Sequence, residues 1–230
     1  STFHLGHPER AWRALTQWRS SWLSREGVLA VLTYMPAGLF AIGWVFLDQT
    51  AGIFMVMGVL SAIGAALTVY CTSMIYASLK SIPAWTNELV SPLYLVLGLA
   101  TGGLILDALL HIFDTPIAGV SVLCILALIT GALLKRRYWQ EIDAAPRETD
   151  LASATGLGQI GKVRVLDNPH TSKNYLQQEM GYRVARKHAL KLRRIATVAL
   201  FILPIILLGL AMAFPAIAMA ATVLAVVAAC

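Results

Sequence analysis

The chain has 230 residues, of which 58% are hydrophobic and 13% are charged, and its mean hydropathy is +0.70. This composition excludes a water-soluble domain and is typical of a membrane protein. The formal net charge of +6 favours binding to anionic lipid headgroups or to an acidic partner. The sequence contains no basic module interleaved with aromatic residues, which is the pattern that would predict nucleic-acid binding.

Six apolar runs follow one another along the chain. An α-helix needs roughly 20 apolar residues to cross a hydrocarbon core about 30 Å thick, and most of the runs reach that length. We therefore predict an all-α, polytopic bundle of transmembrane helices with about six spans, the last of them incomplete. The runs are 27–47, 51–78, 89–110, 115–134, 195–214 and 216–230.

The connecting segments alternate between two sides of the predicted membrane. All 18 lysines and arginines then fall on one side, which receives the N-terminal segment, the 79–88 loop and the long 135–194 segment. The other side receives Asp48, the turn at Asp114 and the link at Pro215. Because lysine and arginine are retained on the cytoplasmic side, we predict that the basic segments are cytoplasmic.

These features divide the chain into three parts. Residues 1–134 form an N-terminal transmembrane part, which consists of an interfacial segment at 1–26 and four spans. Residues 135–194 form a cytoplasmic loop with a basic juxtamembrane helix. Residues 195–230 form a C-terminal transmembrane part. Ser24 is the expected N-cap of the first span. Because the chain begins at Ser1 without methionine and ends within an apolar run, we expect a fragment of a longer protein.

Asp107 is the only acidic residue that lies well inside an apolar run, and it precedes His111 by one helical turn. Carboxylates within a membrane commonly serve proton transfer. However, Asp107 lies close to the end of its span, where we expect headgroups and water to reach it. The sequence leaves a proton path open and favours an interfacial anchor.

A glycine motif in the long basic segment is interpreted as a loop. Gly156, Gly158 and Gly161 spell GxGxxG, which in a nucleotide-binding fold lies between a strand and a helix. Here the residues that follow, 162–166, read as a strand, so the order is reversed. We predict a flexible loop without a nucleotide.

The histidines and cysteines do not predict a metal site. The five histidines lie outside the predicted spans or at their ends, whereas haem in a membrane bundle needs histidines that face one another within spans. The three cysteines are far apart in apolar runs and are expected to be buried, unreactive thiols. They are Cys71, Cys124 and Cys230.

A histidine and a carboxylate near the first span form a candidate site for a quinone. His4 and His7 precede the interfacial segment, and Glu26 lies at the mouth of the first complete span. An imidazole and a partly buried carboxylate can hydrogen-bond a quinone head and exchange its protons. Taken alone, the same residues more often serve as polar anchors at an interface.

The N-terminal half resembles the membrane anchor subunits of dimethyl sulfoxide reductase-type enzymes. His-Leu-Gly-His-Pro at 4–8, Arg-Ala-Trp at 10–12 and Ser-Trp-Leu-Ser-Arg-Glu at 21–26 are similar to the region that joins the second and third helices of that family. Tyr76, followed by Ser-Ile-Pro-Ala-Trp at 81–85, is similar to the family's aromatic, proline-containing loop.

The resemblance implies an eight-helix, haem-free bundle in the bacterial inner membrane. Such a bundle passes electrons between menaquinone or ubiquinone and a ferredoxin-like iron–sulfur subunit, which serves a molybdopterin catalytic subunit. The clusters and the molybdopterin are expected only in those partner subunits. The resemblance also implies that His4 and Glu26 act at the quinone site, with Arg10 and Arg25 as further candidates for the pocket.

The segment at 170–188 departs from the best-known reductase anchors. It resembles the anchor of cytoplasm-facing sulfite dehydrogenases that reduce quinone, so sulfite oxidation is the leading hypothesis. The alternatives are an anchor of a dimethyl sulfoxide or polysulfide-type reductase that oxidises quinol, a structural tether without a quinone site, and a transporter subunit. A transporter is disfavoured because the span centres are apolar, apart from breaks at Pro36 and Pro204.

Overall fold

The computed structural model describes residues 6–80, 82–145, 150–167 and 183–229, the side chains of Arg183 and Val184 excepted. Within these ranges the chain forms helices and turns and no strand, which confirms the all-α prediction. The helices are α1 Trp22–Leu47, α2 Ile53–Ala77, α3 Val90–Ile112, α4 Ala118–Ala144, α5 Leu151–Thr155, α6 Arg183–Lys187, α7 Ala189–Thr197, α8 Leu203–Ala213 and α9 Ala218–Ala229.

Five stretches of the described chain are long and apolar enough to cross a membrane. They are α1, α2, α3, α4 and the continuous stretch Ala189–Ala213, which contains α7 and α8. A sixth apolar stretch, Pro215–Ala229, is shorter. The prediction of about six apolar segments is therefore confirmed as five candidate spans and one short helix.

Small residues let α1 and α2 pack closely at one edge of the bundle. At three glycines of this pair, a Cβ atom would collide with or crowd a side chain of the facing helix. Such contacts between small residues and neighbouring helices are typical of membrane bundles, where close van der Waals packing drives association. The pairs are Gly43 with Phe54, Gly58 with Phe40, and Gly64 with Thr33.

The remaining long helices enclose the apolar core. Leu104 of α3, Leu128 of α4 and Leu208 of α8 are fully or almost fully buried, and Ala100 and Ala225 belong to the same cluster. Helix α2 packs against α3 and so connects the α1–α2 pair to this core. The outer faces of α1 and α2 remain apolar and exposed, as expected of surfaces that contact lipid or further helices.

A π-helical turn precedes the proline of the fifth span. Val198–Ile202 form this turn, and Pro204 follows in the first turn of α8. Because proline lacks an N–H and its ring crowds the carbonyl four residues earlier, a wider turn at this point accommodates it. The turn buries Phe201 next to Gly131 of α4.

Hydrogen bonds hold several helix ends together at one end of the bundle. They connect the loop before α3, the end of α4 and the start of the fifth span. The segments that carry lysine and arginine leave the bundle at this end, which we call the basic end. The bonds join Tyr138 to the Ala84 carbonyl at 2.9 Å, Asn87 to Glu141 at 2.8 Å, and Arg193 to Asp143 at 2.5 and 2.9 Å.

Three local predictions need correction. The N-cap of α1 is Ser21 rather than Ser24, because the Ser21 side chain accepts the backbone N–H of Ser24. Helix α4 continues to Ala144, beyond the apolar run, and residues 162–166 are not a strand. The predicted basic helix is described from Arg183 onward, and its first residues, 175–182, lie outside the described chain.

Candidate functional site

A cavity of about 700 Å³ lies at the basic end of the bundle, between α2, α3, α4 and the π turn. This volume is within the range typical of small-molecule sites, roughly 300–1,000 Å³. Most of the wall surface is apolar, and seven of the lining residues are polar or aromatic. They are Thr72, Tyr76, Trp85, Tyr94, Thr101, Lys135 and Tyr138.

Three aromatic rings form one wall of the cavity. Tyr76 stacks on Tyr94 with ring centroids 5.8 Å apart, and Trp85 meets Tyr76 edge to face at 5.1 Å. Both geometries are favourable for aromatic pairs. The rings come from α2, α3 and the intervening loop, so the packing of α2 on α3 creates this wall.

Lys135 supplies a cation to an otherwise largely apolar wall. Its ammonium lies 4.7 Å from the ring centroid of Tyr138 and 5.4 Å from that of Trp139. Tyr138 is itself fixed by the hydrogen bond to the Ala84 carbonyl. A cation held against aromatic rings in a largely apolar wall can stabilise negative charge on a ligand.

Glu26 lies behind the cavity wall and is connected to it by one hydrogen bond. The hydroxyl of Thr72 on α2 donates to Oε1 of Glu26 on α1 at 2.7 Å. Thr72 lines the cavity, whereas Glu26 is half-buried in the first turns of α1. The structure therefore brings this predicted site residue within one side chain of the cavity.

Arg25, one residue earlier, turns away from the cavity toward the N-terminal segment. Its guanidinium lies 4.2 Å from the ring centroid of Trp22 and donates to the carbonyls of Trp18 at 2.9 Å and Arg19 at 2.7 Å. Arg25 thus fixes the 16–21 turn to the start of α1. Its predicted contact with a ligand stays a prediction.

The remaining predicted residues lie farther out or outside the described chain. The Arg10 side chain is 58% exposed and lies 3.8 Å from Glu9, which also contacts His7 at 3.0 Å. Arg10 and Arg25 are not among the described residues that line the cavity. His4 lies outside the described residues, so its role also stays a prediction.

Most of the polar cavity residues were not identified from the sequence. Tyr76 and Trp85 were identified through the family resemblance, but Thr72, Tyr94 and Lys135 were not. These three residues belong to three different helices and come together only when the helices pack. The available signal was weak, namely a hydroxyl or ammonium group within or next to an apolar run.

Asp107 lies near the other end of the bundle and is not an exposed anchor. Its side chain is fully buried, with 0% exposed, and accepts a hydrogen bond from Ser121 of α4 at 2.7 Å. The expectation that headgroups and water reach Asp107 is therefore wrong. The packing of α4 on α3 covers the carboxyl, although Asp107 is close to the end of its helix.

The apolar helices and their packing define an integral membrane protein with a ligand-sized cavity at its basic end. The chain belongs to the family of DMSO reductase anchor subunits (DmsC), whose family model matches residues 1–229. Family membership implies that the chain associates with catalytic oxidoreductase subunits at a membrane. The resemblance found in the sequence is thereby confirmed.

One similar protein is a subunit of sulfite dehydrogenase from Allochromatium vinosum. It is 28% identical over 223 residues, which cover 91% of this chain and 68% of that protein. No solved structure matches the chain.

Proposed function

We propose that this chain is the quinone-reactive anchor subunit of a molybdopterin oxidoreductase complex and exchanges electrons between membrane quinone and an iron–sulfur subunit. The observation that carries this proposal is the hydrogen bond between Thr72 and Glu26. It connects a proton-exchanging carboxylate to the wall of a cavity with the size and composition of a quinone site.

The cavity fits a quinone head in shape and polarity. A quinone head is flat and apolar on its faces, with two carbonyl oxygens that accept hydrogen bonds. The Tyr76, Trp85 and Tyr94 rings offer flat apolar contact, and the Lys135 ammonium offers a donor. The apolar remainder of the wall suits a lipid-soluble ligand that enters between helices.

Reduction of a quinone to a quinol takes up two electrons and two protons, and oxidation releases them. Glu26 is placed to give or take one of these protons, since its carboxyl is one hydroxyl away from the cavity. The Thr72 hydroxyl both donates and accepts hydrogen bonds, so it can connect a ligand oxygen to Glu26. Lys135 stabilises negative charge on the ligand while the proton moves.

The basic end of the bundle is the proposed docking surface for the iron–sulfur subunit. Arg13 and Arg19 in the N-terminal segment and Lys191 and Arg194 near the start of the fifth span provide positive charge there. Complementary charge orients a partner and speeds its association. Because the cavity lies at the same end, a cluster docked there has a short electron path.

We further propose that the basic end faces the cytoplasm of a bacterium, across its inner membrane. This assignment rests on the retention of lysine and arginine on one side of the membrane. The name of the similar protein from Allochromatium vinosum makes sulfite the leading substrate of the complex. An anchor that oxidises quinol for a dimethyl sulfoxide or polysulfide-type reductase remains the alternative.

The test is purification of the intact complex through an affinity tag on this chain. We expect iron–sulfur and molybdenum subunits to be isolated with it, and a soluble quinone analogue to be reduced when sulfite is added. Quinol-driven reduction of dimethyl sulfoxide or polysulfide would instead support the alternative substrate. A complex that neither binds nor turns over quinone analogues would be a structural tether and would contradict the proposal.

A further inference from the structure

A buried acid lies at the end of the bundle opposite the basic end. Oδ1 of Asp107 accepts the Ser121 hydroxyl at 2.7 Å, and the side chain is fully buried. The other carboxyl oxygen, Oδ2, is buried without a hydrogen-bond partner among the described residues. A carboxyl so placed within a membrane span calls for an explanation, because an unpaired buried charge is costly.

His111 is the nearest basic group to this oxygen. Its Nδ1 lies 2.9 Å from the backbone carbonyl oxygen of Asp107 and 3.9 Å from Oδ2. Because a carbonyl oxygen can only accept a hydrogen bond, Nδ1 is the donor in the shorter contact. This bond leaves Nε2 as the acceptor of the neutral ring. His111 can therefore take a proton at Nε2 while its Nδ1 remains beside the carboxyl.

The pair is expected to hold one proton in either of two arrangements. Either the Asp107 carboxyl carries it and His111 is neutral, or His111 carries it and the carboxylate is paired with a cation. Loss of that proton leaves a carboxylate with an unpaired oxygen in apolar surroundings, which is unfavourable. The geometry therefore favours a site that binds and releases a single proton.

A second cavity, of about 600 Å³, connects this pair to the surface. His111 and Ser121 line it, together with Asp114, Pro116 and Pro215 from the two turns at this end of the bundle. His111 is 13% exposed, whereas Asp107 is fully covered. His111 thus lies between the open cavity and the buried acid.

We propose that Asp107, Ser121 and His111 form a proton-binding site that exchanges its proton with the membrane face opposite the candidate quinone cavity. Asp107 is the buried acid, Ser121 orients its carboxyl, and His111 carries the proton between the cavity and Oδ2. The ligand of this site is a proton, because one carboxyl and one hydroxyl supply too few oxygens for calcium or magnesium. Among the described residues, no group of three or more histidine, cysteine, aspartate or glutamate side chains could hold a metal ion.

The surroundings limit the exchange to that one face. On the side toward the basic end, Leu104 of α3 and Leu128 of α4 belong to one buried apolar cluster, which separates the site from the quinone cavity. The titratable groups nearby are His111 on α3, Cys124 on α4, which is within electrostatic reach of Asp107, and Asp114 at the cavity. Helices α8 and α9 contribute no titratable side chain.

The test uses dicyclohexylcarbodiimide, which reacts with protonated carboxyls in apolar surroundings, and the intact complex in sealed, oriented vesicles. Mass spectrometry should find the label on Asp107, and the extent of labelling should fall as the pH rises. The labelling should follow the pH of the compartment that faces Asp48 and not that of the compartment that faces Lys80. It should persist when the quinone site is inactivated, so the two proposals fail separately.

Three variants and an infrared measurement complete the test. Asp107→Asn should abolish the label, and His111→Gln should change how strongly labelling depends on pH. Asp48→Asn, at an exposed acid on the same face, should leave the label in place. Difference infrared spectra of wild type against Asp107→Asn should show a carboxyl carbonyl band that disappears as pH rises. The proposal is overturned if neither label nor band depends on pH, if the Lys80 compartment controls them, or if His111→Gln has no effect.

Discussion

The hydroxyl of Thr72 donates to Oε1 of Glu26 at 2.7 Å, although the two residues are 46 positions apart in the chain. The bond joins the start of α1 to the last turns of α2. It also places a carboxylate directly behind the wall of the larger cavity. Like the hydrogen bond between Ser121 and Asp107, it adds a specific polar contact to helices that associate mainly by close packing.

Site-directed labelling should confirm the two-sided arrangement of the loops. Single cysteines introduced by Lys80→Cys and Arg164→Cys should react with an impermeant maleimide from one side of the membrane, because their segments leave the same end of the bundle. Asp48→Cys and Asp114→Cys should react only from the other side. If Lys80→Cys and Arg164→Cys label from opposite sides, the arrangement of the spans is wrong and the proposed docking surface with it.

Replacing Tyr76 by leucine should weaken binding of quinone analogues without preventing assembly. The substitution removes the ring that stacks on Tyr94 and contacts Trp85. Aromatic pairs contribute about 0.5–1.5 kcal/mol beyond burial, so we expect roughly two- to tenfold weaker binding in a fluorescence or calorimetric titration. Tyr34→Leu on α1, where the side chain is 77% exposed, is the matched control and should bind as wild type.

Lys135→Met should reduce the rate of quinone turnover more than it affects binding. Methionine keeps much of the apolar length of lysine but removes the ammonium that lies beside the Tyr138 ring. Loss of a group that stabilises developing charge should lower kcat by at least about tenfold, with a smaller change in KM. Lys162→Met, at an exposed position after α5, should leave both constants unchanged. Equal losses in the two variants would argue for a general effect of charge.

Gly64→Ala should destabilise the α1–α2 pair. A Cβ atom at this position would collide with the short, β-branched side chain of Thr33, which has little room to move. Overpacking of this kind costs about 1–3 kcal/mol and should lower the thermal unfolding temperature of the purified complex. The control is Gly38→Ala on α1, where a Cβ meets no atom within 4 Å, so stability should be unchanged or slightly higher.

The spans and their alternation could be predicted because long apolar stretches and the distribution of lysine and arginine are visible in the sequence. Helices α1 to α4, however, are apolar on all sides, so their sequences do not indicate which face meets which neighbour. The contact of Thr72 with Glu26 and the cavity wall depend on those faces. The burial of Asp107 was missed for the same reason, since Ser121 covers it from another helix.

The family resemblance identified part of the site and not its geometry. It selected Glu26 and the Tyr76 and Trp85 loop from short sequence matches, and the structure places all three near one cavity. Lys135 was not identified as a site residue because it directly follows the fourth apolar run and stands beside other cationic residues, Arg136 and Arg137. The extension of α4 to Ala144 places Lys135 in the cavity lining, beside the Tyr138 ring.

The most direct test of the account is quinone-linked turnover of the intact complex with Glu26→Gln. Glutamine can still accept the Thr72 hydroxyl but cannot hold an exchangeable proton, so assembly and electron transfer to an artificial acceptor should persist. Quinone-linked turnover should fall by at least about 100-fold, the contribution expected of a general acid or base, while Glu9→Gln, at an exposed acid, behaves as wild type. Wild-type turnover of quinone by Glu26→Gln would contradict the account.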